Sequence, residues 1–150
     1  MRKNLWLLLI VLIANTIKAQ SLFPEEFDGC NTTHFIIEKD TATVHANIVD
    51  MTKIFKNGLN NKVQKQIKGI IKLQILVDTE GNSCLLSLKN ETNIQTEKLN
   101  LKEIIDSKLV WNKPESMMSV ILYISFKSGM MGFARLGLDE KGFHKLLQEL

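Results

Sequence analysis

The chain has 150 residues, 45% of them hydrophobic, which suits one domain with a modest core, and its two cysteines are too few for a disulfide lattice. Its formal net charge of +3 rests on Arg2, Lys3 and Lys18, which lie in a segment read below as removable; without them sixteen basic residues face sixteen acidic ones. That balance excludes the charge excess on which nucleic-acid binding depends.

Residues 1–19 have a basic start (Arg2, Lys3), an apolar run over 5–14 and a more polar close at Ala19-Gln20. This is the three-part layout of a secretory signal cut after Ala19, and it places the mature chain in a periplasm or outside the cell. The apolar run spans only about 15 Å as a helix, half of a bilayer core, so no stable membrane span is expected in the mature chain. If the signal is retained instead, the chain is membrane-tethered. The stretch 20–68 reads as a leader with weak strands and short helices. Its first part carries Pro24 and Gly29, and Phe35, Ile36, Ile37 and then Thr41, Thr43, Val44 suggest one or two short strands. Ile48, Met51, Ile54 and Phe55 have helical spacing, with Gly58 at the position of a C-terminal cap. A second short helix over 60–68 turns Val63 and Ile67 inward.

From Gly69 the pattern changes to period two. Ile71, Leu73, Ile75 and Val77 share one face of a strand, a turn follows at Asp78-Thr79-Glu80-Gly81, and a return strand places Cys84, Leu86 and Leu88 on one face. Leu101, Ile104, Ile105 and Leu109 then form a helical stripe, with Asn100 and Glu103 spaced as a capping box. Trp111 and Pro114 end the helix, and Met118, Val120, Leu122, Ile124 and Phe126 alternate along a third strand. A right-handed crossover returns that strand parallel to the second with the first between them. The expected fold is therefore α+β, a three-stranded antiparallel-type sheet of split β-β-α-β connection and order 2-1-3, with helices on one face, over 69–127. The tail, 128–150, carries Gly129, Gly132 and Gly137 and is expected to close in a short amphipathic helix with Phe143, Leu146, Leu147 and Leu150 on one side.

Little in this chain has the spacing of a catalytic or metal site. His34, His45 and His144 are far apart, none with a second His or a Cys at ligand spacing, and no nucleophile elbow, phosphate loop or CxxC occurs. The reading is of a non-enzyme without cofactor or metal. Lys53, Lys56, Lys62, Lys65, Lys68 and Lys72 form a basic run that reads as a solvated face. Cys30 and Cys84 leave two readings open: a bridge closing a long loop, which the chain-entropy picture values at about 4 kcal/mol, or a Cys84 that is simply a small buried side chain.

The stretch GIIKLQILVDTEGNS, with Gly69, Asp78 and Gly81, followed by KEIIDSKLVWNKP, with Trp111 and Pro114, resembles the C-terminal domain of TonB as it occurs in small exported proteins of the Bacteroidetes, over 69–126. The resemblance implies a sheet edge that receives an extended peptide of an outer-membrane transporter by strand addition. That edge is the third strand, marked by Ser119, Ile121, Tyr123 and Ser125. The alternatives are a structural or inhibitory module whose edge is covered by its own tail, in which case a chain ending at Lys127 gains peptide binding, and a minimal membrane-tethered transducer. Exposed edge strands also leave a homodimer open.

Overall fold

A computed structural model describes residues 21–146; the signal segment, and Leu147 and Leu150 of the expected tail helix, lie outside the described residues. In chain order these residues form β1 (Glu25–Glu26), β2 (Ile36–Ile37), α1 (Ile48–Gly58), α2 (Asn61–Gln66), β3 (Gly69–Val77), β4 (Ser83–Thr92), a 3-10 turn (Thr96–Lys98), α3 (Leu101–Lys108), β5 (Met118–Lys127), β6 (Met130–Asp139) and β7 (Gly142–Lys145).

The expectation of a three-stranded sheet is corrected. Seven strands join one sheet in the order β1-β4-β3-β5-β6-β7, with β2 beside β5. Every pairing is antiparallel except that of β2 with β5. Four of these strands come from the leader and the tail. The tail is not helical over its described part: Ser128 (φ 51°) and Gly129 (φ 78°) form a two-residue turn, positive at both positions, that folds β6 directly back on β5. Such turns match the right-handed twist of paired strands, which is why they make tight hairpins.

The helices cover one face of the sheet. Met51, Phe55 and Leu59 of the α1 region, Ile67, and Leu101, Ile104, Ile105 and Leu109 of the α3 region pack with Ile71, Leu73, Ile75, Val120, Leu122 and Ile124 in one buried cluster. On β4 the simple alternation fails. The pairing with β3 shifts between Gln74 and Ile75, so that Gln74 faces Ser87 while Ile75 faces Leu85. The extra residue of this bulge puts Leu85 and Leu88 on the helix side, and moves Cys84 to the other. At the start of α3, Asn100 does not cap: its backbone is left-handed (φ 49°). Its side chain instead donates to the Glu103 carboxylate at 2.7 Å.

The second face is covered in part, around Gln74, Ser87 and Ser119. Leu22 N donates to Gln74 Oε1 (2.9 Å) and Phe23 N to Ser87 Oγ (3.3 Å), laying the leader across the sheet. The Phe23 ring stacks on Phe143 of β7 at 5.6 Å, so a curled sheet has its first and last portions joined by one aromatic pair.

Two turns explain the glycines and acid of the β3 region. Gly69 has φ 115°, and a Cβ there would lie 2.3 Å from Glu91 O. In the β3–β4 turn, Asp78 Oδ1 accepts from Glu80 N and Asn82 N, both at 2.9 Å, and Oδ2 accepts from the Asn82 amide at 2.9 Å. Burial raises the Asp78 pKa, but the Asn82 side chain and the backbone N–H groups of Asn82, Glu80 and Gly81 outweigh it, and the carboxyl lies below its ordinary value. A depressed folded-state pKa stabilises above the unfolded value and is lost as pH falls through the folded one. Asp78→Ala is therefore expected to lower the thermal midpoint at neutral pH, with the two melting curves converging as the buffer is taken to strongly acid pH; a gap independent of pH would contradict this.

Candidate functional site

The residues with the most unusual environment sit where β6 parts from β5. The two strands pair from Lys127 and Met130 as far as Ile121 and Leu136, and beyond that β2 enters, lying against Met118 and Ser119. Glu38, just past β2, joins both sides of this fork: its N–H donates to Ser119 O (3.4 Å) and its carbonyl accepts from Leu138 N (3.0 Å). The approach requires glycine at 137, since a Cβ there would lie 1.8 Å from Lys39 O.

Inside the fork the Glu38 side chain is 0% exposed and pairs with Arg135, 5% exposed. The second carboxylate oxygen accepts from Thr43 N (2.8 Å), Thr43 Oγ1 (3.0 Å) and Val44 N (3.1 Å), and Arg135 Nη1 donates to Val44 O (2.6 Å). Burial pushes the Arg135 guanidinium below its ordinary pKa while Glu38 pushes it back up; a guanidinium this paired remains charged. Its flat face lies over the Trp111 ring, 4.9 Å from the centroid.

Trp111, just past α3, is held by the β3–β4 turn. Its backbone N–H donates to Gly81 O (2.9 Å) and its indole N–H to Ser83 Oγ (2.8 Å), whose hydroxyl donates to Leu109 O (2.6 Å). Gly81 (φ 85°) admits this contact, for a Cβ there would lie 2.3 Å from Trp111 O. Next in the chain, Asn112 exchanges two bonds with His45, accepting from its N–H at 2.5 Å and donating to its carbonyl at 3.0 Å. Those bonds hold the segment before α1 above Trp111, and Asn47 caps α1 by accepting from Val49 N (2.9 Å) and Asp50 N (3.2 Å).

Between that segment and β6 lies a cleft of about 460 Å³, within the roughly 300–1,000 Å³ range of ligand sites. Met51, Trp111, Leu122, Phe133 and Arg135 line it, and Ile48 and Val49 stand at its edge with His45. Ile48 is 50% and Val49 61% exposed. Ile48 and Val49 thus give the cleft an apolar edge beside His45 and Asn47, and Arg135 in its wall is already neutralised by Glu38. Such a surface favours apolar side chains over anions. The same Phe133 belongs to an open strand edge. On the side away from β5, β6 pairs with β7 only from Leu136 to Asp139, and Arg135 O accepts from Leu146 N (3.0 Å); among the described residues no strand lies beside 130–134 there.

The edge expected on β5 is not open. Ser119 faces Ile37, and Ile121, Tyr123 and Ser125 face Leu136, Ala134 and Gly132, so β2 and β6 fill the outer side. Ser119 and Ile121 are fully buried, and Ser119 Oγ accepts from the Gln74 amide at 3.1 Å. Gly81 and Trp111 meet, as described; Pro114 is half-buried in the loop before β5. Cys30 and Cys84 are bridged, 54 residues apart in sequence. Arg135, Glu38, Phe133 and the α1 rim were not singled out from the sequence, and no local pattern points to an ion pair whose members are 97 residues apart. Among the described residues no three His, Cys, Asp or Glu side chains converge as metal ligands, and no helix is long and apolar enough to cross a membrane.

No protein-family description matches the chain, and neither does any curated protein or solved structure.

Proposed function

We propose that the chain is an exported, non-enzymatic interaction module that takes an extended peptide by strand addition on β6, with an apolar side chain of the peptide in the Trp111 cleft. The observation that supports this reading is the shared position of Phe133, which lines the cleft and lies on the unpaired stretch of β6. Met131 and Phe133 turn their backbone groups away from β5 in the register set by the 127–130 hairpin, so a docked strand gains about four hydrogen bonds at about 1 kcal/mol net each. Less the cost of ordering the peptide, that gives a weak, releasable complex whose selectivity comes from the cleft. The partner class implied by the resemblance to the TonB C-terminal domain is a segment of an outer-membrane transporter.

The second reading is that the chain's own tail covers this edge. It is favoured by the bond from Leu146 N to Arg135 O, which brings the chain to the edge at its last described residue. One experiment addresses both. Immobilised full chain, a chain ending at Leu146 and the full chain with Val49→Glu are incubated with solubilised outer membrane, and retained transporter segments are identified by mass spectrometry. Retention is expected, reduced about tenfold by the exposed charge at 49. Stronger retention by the shorter chain assigns the tail as a competitor. Retention indifferent to Val49→Glu removes the cleft from the reading, and the absence of any transporter segment removes the function.

A further inference from the structure

The leader segment 22–30 is held to the sheet by a row of backbone hydrogen bonds and by the Phe23 and Phe27 side chains. Beneath it Ser87, Gln74 and Ser119 form a buried polar strip across β4, β3 and β5, with Ser87 Oγ donating to Gln74 Oε1 at 2.7 Å and the Gln74 amide donating to Ser119 Oγ at 3.1 Å. Onto this strip come the N–H groups of Leu22 and Phe23; Glu25 and Glu26 pair with Leu88 and Ser87, and Phe27 N donates to Leu86 O (2.9 Å). Two rings anchor it besides, Phe23 at 5% exposure and the half-buried Phe27, which packs against the core cluster. A single covalent bond, Cys30 to Cys84, closes the end of this strap.

The two sulfurs of that bond differ in surroundings. Cys30 is half-buried, with Asp28, Gly29 and Asn31 around it exposed, and a Cβ on Gly29 would meet nothing within 4 Å. Cys84 is also half-buried, but its neighbours Ser83 and Leu85 are buried. Lys102 Nζ lies 3.7 Å from Cys84 Sγ, sharing its charge with Asp106, whose other oxygen accepts from Leu85 N at 2.7 Å. An ammonium beside one sulfur stabilises the thiolate there and makes it the better leaving group.

We propose that Cys30–Cys84 is a thiol–disulfide exchange site for a dithiol reductant, and that opening it releases the strap from the polar strip. One thiolate of the reductant attacks Cys30 Sγ. The disulfide bond breaks as the new sulfur–sulfur bond forms, and its electron pair leaves on Cys84 Sγ, held as a thiolate by Lys102. The second thiolate of the reductant then attacks its own sulfur in the mixed disulfide and expels Cys30, which takes a proton from water. The reductant leaves as its disulfide, and the protein is reduced by two electrons. Because backbone groups are what the strip recognises, a freed strip suits another extended segment in place of the strap.

The test uses the oxidised full chain. Glutathione, a monothiol, should be trapped on Cys30 rather than Cys84 in peptide maps after acid quench. Reduction by dithiothreitol should slow about threefold to tenfold in Lys102→Met, return in Lys102→Arg, and quicken in Asp106→Asn, which keeps an acceptor for Leu85 N while freeing the ammonium. Glutathione on Cys84, or equal rates in all four proteins, would overturn the exchange site. In the reduced protein, hydrogen exchange at Leu22, Phe23 and Phe27 should quicken about tenfold or more while Leu73 and Ile75 stay protected. Strap amides that remain protected, or protection lost over the whole sheet, would overturn the release, the latter by making the bridge a structural bond only.

Discussion

Arg135→Ala is expected to cost about 3–5 kcal/mol, the usual loss when one member of a buried ion pair is removed and the other is left charged in the interior. A domain of this size has only about 5–15 kcal/mol in total, so the variant should show a urea midpoint far below that of the wild type, and a fraction unfolded at 37 °C. Two contributions add to the charge: Val44 O loses the donor at 2.6 Å, and the Trp111 ring loses the guanidinium lying over it. Replacing the pair by apolar residues of similar size, Arg135→Met with Glu38→Leu, recovers part of the loss but not all of it. In many proteins such a swap is neutral, but here Glu38 also accepts from the buried Val44 N, and a buried N–H left without an acceptor costs about 1–3 kcal/mol. A double variant as stable as wild type would show that this N–H finds another acceptor. A stable Arg135→Ala would show that the fork does not depend on the pair.

The fork also shows what a sequence pattern can and cannot reveal. The alternation of Ile71, Leu73, Ile75 and Val77 located β3, because a strand buried on both faces but packed mainly on one keeps a period of two. The same logic failed on β4, where one inserted residue at the bulge reversed the faces after Leu86, and such an insertion leaves no compositional mark. Gly132 and Gly137 lie in the stretch expected from the sequence to be a tail closing in a short helix. They are strand residues, and at 137 close approach demands glycine, since a Cβ there would lie 1.8 Å from Lys39 O; at 132 a Cβ would meet the Ser125 hydroxyl, which can turn away. The Ser128-Gly129 pair between two alternating runs was a hairpin signal in plain view. The expected tail helix rested on the apolar spacing of Phe143, Leu146, Leu147 and Leu150, and the first two of these suit a strand followed by a buried contact equally well. Of the site, Trp111 and Gly81 were legible because their motif is local. Glu38 and Arg135 were not, since each reads as a surface charge until the fold brings together residues from opposite ends of the chain.

A chain ending at Lys127 is expected not to fold, where the alternative of a tail-covered β5 edge had it gain peptide binding. The cut removes β6 and β7, and with them the outer neighbour of every β5 residue from Ile121 to Lys127, leaving β3 on the inner side. It leaves Glu38 buried or half-exposed without Arg135, bares Phe55 where it meets Phe133 at 5.8 Å, and takes Phe143 from Phe23 on the second face. Any one of these costs on the order of 1–5 kcal/mol, so their combination exceeds the stability of a domain of this length. Circular dichroism and a one-dimensional proton spectrum decide the point: a dispersed, cooperatively melting spectrum from the shortened chain would mean that β3, β4, β5 and the helices form an autonomous unit, with the β5 edge free to accept a strand. Loss of dispersion would make β6 part of the fold itself. Leu146, 2% exposed and bonded through its N–H to Arg135 O, then belongs to the same unit as β6, and a shortened chain that folds has to keep it.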